Sequence, residues 1–186
     1  MRSQKQSPHI GYVVALCGIM SGLALTLMFV LGMIPAFEYI SPAAAGILIW
    51  VIRERLGVKY GLTSYLAVGI LCFLITMNYE ASMMYLVLLG YYPIVREYFQ
   101  KIPLFLLRLL AKLVLYALTA TGAYLALIYL FGMSALLEDI GEFGKYGSLV
   151  LLAMGAMAFL MYDLFLGMFA PFYEKLIKPK IQKRMR

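Results

Sequence analysis

The chain has 186 residues, of which 64% are hydrophobic and 13% charged, with a mean hydropathy of +0.89 and a net charge of +7. A soluble domain of this length is close to half apolar and about a quarter charged, so the composition excludes one and places the chain in a bilayer. The excess of positive charge is accounted for by membrane orientation, which leaves no role for nucleic acid.

Six apolar segments, residues 12–33, 40–52, 60–77, 81–95, 103–131 and 146–172, are separated by short polar stretches. They predict an all-α integral membrane protein with six transmembrane helices in one domain over residues 1–186. No internal repeat, low-complexity tract or linker long enough for a soluble domain interrupts them.

The first segment carries no charge and exceeds the ~20 residues that cross ~30 Å of hydrocarbon. It is too long for the core of a cleaved signal peptide and leads into further spans, so it reads as a retained anchor. Gly11, Ala15, Gly18, Gly22 and Thr26 recur at three- and four-residue spacing and share one narrow stripe at ~100° per residue. Such a bare face lets another backbone come close, which is what holds helices together in lipid. It either seats the helix against its own neighbours or offers a docking face to a separate subunit.

Segments 40–52 and 81–95 are short, about 20–23 Å as helix. Pro42 starts one, and Pro93 interrupts the end of the other by removing a hydrogen-bond donor. Short or broken spans are tolerated where protein shields them or where they line a cavity, and so they point to a ligand site, unless their boundaries are simply misplaced.

Orientation follows from the basic residues. With both termini in the cytoplasm, the inner side receives Arg2 and Lys5; Arg53, Arg55 and Lys59; Arg96, Lys101, Arg108 and Lys112; and the tail residues Lys175, Lys178, Lys180, Lys183, Arg184 and Arg186. Only Lys145 is left outside. The basic tail also suits anionic lipid.

Residue types needed for catalysis are missing. The sole histidine, His9, precedes the first span, HExxH does not occur, and Gly18-Ile19-Met20-Ser21-Gly22 has one residue too many for GxSG. No glycine-rich phosphate loop is present, so the chain cannot hydrolyse ATP. Cys17 and Cys72 lie inside apolar runs and are spaced like neither a disulfide nor a zinc site. No enzyme activity, metal or cofactor is expected.

Asp163 is the one acid well inside a span. Counted from Lys175 it lies roughly 12–14 Å below the inner interface, the depth of Lys112 counted from Pro103. Arg108 sits one turn before Lys112 on the same face. Intramembrane charges pair or line a pathway, so Asp163 is expected to pair with Lys112, with Arg108 nearer water. The pair is read either as a pin between helices or as a substrate or proton site.

The outer side is acidic. Glu38, Glu80, Glu138, Asp139 and Glu142 face Lys145 alone. Glu38–Tyr39 and Asn78–Tyr79–Glu80 occupy tight turns beside the two short spans, with Tyr85 about one helical turn below. Aromatic rings with a few polar groups suit a small-molecule pocket, although tyrosine is also the usual interfacial anchor. Glu38 and Glu80 would suit a cationic or amine-bearing ligand.

Together these features resemble the substrate-binding S components of energy-coupling-factor (ECF) transporters. The resemblance rests on the length, the six spans with both ends inside, the small-residue face of Ala15, Gly18 and Gly22, and the texture of Pro42-Ala43-Ala44-Ala45-Gly46 and Gly57-Val58-Lys59-Tyr60-Gly61-Leu62. It implies a subunit of a bacterial or archaeal cell membrane that captures a small vitamin-like molecule from outside. The first helix would dock on a transmembrane coupling subunit driven by an ATPase pair. The alternative is a non-transporting scaffold protein of the bacterial envelope, for which the same stripe is a permanent interface. Gly90-Tyr91-Tyr92-Pro93-Ile94-Val95-Arg96-Glu97 is distinctive and reads only as a helix end at the inner interface.

Overall fold

A computed structural model describes residues 10–34, 37–76, 78–131 and 146–173, and every regular element among them is a helix. The chain divides into two compact units, Met1–Met133 and Ser134–Arg186. The first holds α1 (Ile10–Gly32), α2 (Ile40–Leu56), α3 (Val58–Ile75), α4 (Tyr79–Met84), a π turn (Tyr85–Leu89), α5 (Tyr92–Gln100) and α6 (Phe105–Phe131). The second holds α7 (Gly147–Phe172).

Among the described residues, four helical stretches are long and apolar enough to cross a membrane: Ile10–Gly32, Val58–Ile75, Phe105–Ala126 and Leu149–Phe172. The other two expected spans differ for separate reasons. Segment 40–52 continues to Leu56 as a 17-residue helix, about 25 Å long. Part of its apparent shortness was therefore boundary, since Arg53, Glu54 and Arg55 are helical. Segment 81–95 is not one helix. It breaks at Gly90–Tyr91, ahead of Pro93, and Pro93 lies in the first turn of α5, where its missing N–H costs nothing.

The core of the first unit is built from periodic apolar faces. Ala24 and Met28 of α1, with Cys17 and Met20 partly buried beside them, pack with Ala45, Ile49 and Ile52 of α2 and Val68 and Cys72 of α3. Gly57 alone connects α2 to α3. Its φ of +102° lies in the left-handed region that favours glycine, and its N–H closes on the Arg53 carbonyl at 2.8 Å. Four residues on, Gly61 lets the helices touch. A Cβ there would lie 2.7 Å from Arg53 Cβ.

The two ends of this unit are distinguished by the residues that meet there. At one, Arg55 near the end of α2 donates to the hydroxyl of Tyr12 near the start of α1, at 3.4 Å. At the other, Asn78 after α3 meets Glu38 before α2 and reaches the Gly32 carbonyl at the end of α1. So α1 and α3 run in the same direction and α2 runs back. The chain then leaves Asn78, and its Glu97 pairs with Arg53. Residues 78–97 thus travel once from end to end of the unit, although their helix is broken.

In the second unit, Phe159, Tyr162, Asp163 and Leu166 of α7 are buried, while Met154, Met157, Met161, Leu164 and Met168 are exposed. The 3-1-3 spacing of the buried set makes one helical face. Asp163 lies on it.

Candidate functional site

The acidic end is held by Asn78. Its side-chain oxygen accepts the Ala81 N–H at 2.9 Å and so caps α4. Its amide donates to Glu38 Oε1 at 2.5 Å and approaches the Gly32 carbonyl at 3.5 Å. Ser41, wholly buried, donates to the Glu38 carbonyl at 3.1 Å, and the Thr76 and Ser82 hydroxyls meet at 3.1 Å to close α3 onto α4. Glu38 and Asn78, 40 residues apart in sequence, are therefore brought together.

The other expected ligand residues take different positions. Tyr39 and Tyr79 are 58% and 41% exposed, and the Tyr79 ring lies 6.2 Å from that of Phe73. Glu80 is half-buried in the first turn of α4. Tyr85 is wholly buried, with its hydroxyl donating to the Tyr65 carbonyl at 3.4 Å. Glu138, Asp139, Glu142 and Lys145 lie outside the described residues.

The stripe on α1 stands apart from the packed face. Gly11, Ala15, Gly18, Gly22 and Thr26 are exposed, and a Cβ added at Gly11, Gly18 or Gly22 would meet nothing within 4 Å. At ~100° per residue, Val13, Cys17, Met20, Ala24 and Met28 fall on the opposite side. One flank of α1 is covered by α2 and α3, and the bare flank is not.

At the basic end, Arg53 presents its guanidinium bidentately to Glu97, with Glu54 3.7 Å away. The Arg53 side chain is 9% exposed and that of Glu97 46%. This pair gives the distinctive 90–97 stretch a physical account: its last residue ties α5 to α2. The signal available in sequence was an acid set among inner-side cations, which the positive-inside pattern leaves unexplained.

Sequence reasoning did not join Tyr91, Tyr116 and Thr119 to Lys112 and Arg108. Tyr91 shares a hydrogen bond with Thr119 of α6, and Lys112, Tyr116 and Thr119 recur on one face of that helix at four- and three-residue spacing. Lys112 and Tyr116 are buried. Arg108, half-buried on the same face, lies over the Phe105 ring at 5.5 Å. Lys112 belongs to the first unit and Asp163 to the second, and each is buried.

Among the described residues no group of three or more His, Cys, Asp or Glu could hold a metal ion. Comparison of the chain with protein-family models, curated proteins and solved structures gives no match.

Proposed function

We propose that the chain is a multi-pass membrane protein with six crossings and both termini in the cytoplasm, and that it serves as the substrate-capture subunit of an ECF-type importer in a bacterial or archaeal cell membrane. The topology is supported by the basic residues collected on one side and by the end-to-end course of residues 78–97, which supplies a crossing despite its break. A small vitamin-like molecule would enter from the acidic end, near Glu38, Tyr39, Asn78, Tyr79, Glu80 and Tyr85. The bare flank of α1 would dock on a transmembrane coupling subunit, which an ATPase pair drives.

One observation carries this reading. The small-residue stripe of Ala15, Gly18 and Gly22 is exposed and lies opposite the flank that packs inside the unit. Close backbone approach is what such a stripe provides in lipid. Within the first unit, the described helices do not pack on it.

Purification from the native membrane in mild detergent tests the reading. Recovery of an ATPase pair with a coupling subunit, together with a retained small molecule identified by mass spectrometry, supports capture. Recovery of wall-synthesis or cytoskeletal proteins without a bound solute overturns it in favour of an envelope scaffold.

A further inference from the structure

The break between α4 and α5 is a constructed feature with reciprocal contacts. In an α-helix the Gly90 N–H would serve the Leu86 carbonyl. Here it reaches one residue further back, to the Tyr85 carbonyl at 2.7 Å, and closes a π turn. That leaves the Leu86 carbonyl without its helical donor in an apolar interior, where an unserved backbone group is costly. The hydroxyl of Tyr65, from α3, donates to it. In return the Tyr85 hydroxyl donates to the Tyr65 carbonyl at 3.4 Å, and the two rings lie 5.7 Å apart. Gly90 completes the arrangement, because a Cβ there would lie 2.7 Å from the Tyr85 carbonyl oxygen and 2.9 Å from the Tyr65 ring.

The break also lies between two clamps. Asn78 holds one end of the segment to Glu38, and Glu97 holds the other to Arg53. We propose that residues 78–97 form a jointed strut between the acidic and basic ends, and that Tyr65 is the positioning residue that latches the joint in its broken form. Without the Tyr65 hydroxyl, the Leu86 carbonyl reclaims the Gly90 N–H and the π turn tightens by one residue. The chain beyond it then rotates by about 100°, which carries Glu97 away from Arg53. The strut thereby has two arrangements, and its ends move together only while the latch is closed.

The test uses the full chain in lipid nanodiscs with Cys17→Ala and Cys72→Ala, spin-labelled at Lys59→Cys in α3 and Tyr98→Cys in α5, both exposed positions. The parent should give one narrow distance. Tyr65→Phe, which keeps the ring, should shift or broaden it by about 5 Å or more, since labels on a helix some 10–12 Å across move that far on such a rotation. A control pair within α3, Lys59→Cys with Leu74→Cys, should stay unchanged, and Tyr85→Phe should leave the first distance narrow. An unaltered narrow distance in Tyr65→Phe overturns the latch. So does a broad distance in the parent, a result that stands even where the Phe variant fails to fold.

Discussion

Arg53 and Glu97, 44 residues apart in the chain, meet fork to fork, with Nη1 and Nη2 each donating to one carboxylate oxygen. A planar guanidinium matched to a planar carboxylate fixes direction as well as distance, so the contact orients α5 against the end of α2. The asymmetry of exposure decides what its loss means. Arg53 is enclosed and Glu97 is nearly half in solvent, so the greater cost lies in leaving the arginine with only Glu54, 3.7 Å away.

Glu97→Ala should therefore destabilise the protein by about 1.5–3 kcal/mol, the range for a hydrogen bond to a charged group. Arg53→Met combined with Glu97→Ala should cost less than Glu97→Ala alone, because no buried cation remains. Thermal unfolding in detergent, followed by circular dichroism, reads both. A double variant less stable than the single one would mean that the Arg53 stem contributes more by packing than its charge costs.

The glycines should separate into two kinds. At Gly61 an added methyl meets Arg53 Cβ at 2.7 Å and Cα at 3.2 Å, so Gly61→Ala must push α2 from α3, at about 1–3 kcal/mol. Gly18→Ala and Gly22→Ala meet nothing within 4 Å, and their melting temperatures should match the parent within the small effect of helix propensity. Gly18→Leu should likewise leave folding and solute retention intact while abolishing co-purification of the coupling subunit. Loss of folding in Gly18→Leu would show that the stripe is needed inside the protein.

Asn78 has two duties, and substitution can divide them. Asn78→Ser keeps a capping oxygen and gives up the bond to Glu38, whereas Asn78→Asp keeps the cap but sets a second carboxylate against Glu38. Asn78→Ala loses both and should cost about 0.5–2 kcal/mol for the cap alone. The expected order of stability is Asn78, then Ser, with Ala and Asp below. Should Asn78→Asp prove as stable as the parent, the contact with Glu38 contributes nothing to the fold.

Topology is open to direct labelling. In intact cells a membrane-impermeant maleimide should modify Glu80→Cys, and it should modify Lys59→Cys only after the membrane is opened. The reverse pattern would invert the proposed orientation and place the acidic end in the cytoplasm.

Much of the architecture was legible in sequence because its causes are local. Length and apolar composition are properties of short stretches of chain, so the sequence alone shows that α1, α3, α6 and α7 are long and apolar enough to cross a membrane. The bare stripe on α1 follows from periodicity. Segment 40–52 proves to be part of a longer helix, because the charged residues that follow its apolar run form the last turn. Segment 81–95 differs more. Pro93 is its strongest local signal for a break, yet the chain turns at Gly90–Tyr91, after a Leu86 carbonyl that accepts the Tyr65 hydroxyl of another helix. The expected ligand residues group by their place in turns, and Glu38 with Asn78 is joined by a contact on which that grouping can rest.

Sequence by itself determined that the chain is helical and built for lipid, which of its helices are long enough to cross, and which flank of the first is smooth, since each depends on residues within a few turns of one another. Tertiary structure alone decided that the smooth flank is left uncovered within the first unit, that a helix breaks where a distant hydroxyl can serve its carbonyl, and that Glu97 meets Arg53. The last two outcomes depend on groups separated by 21 and 44 residues, whose approach no local pattern encodes.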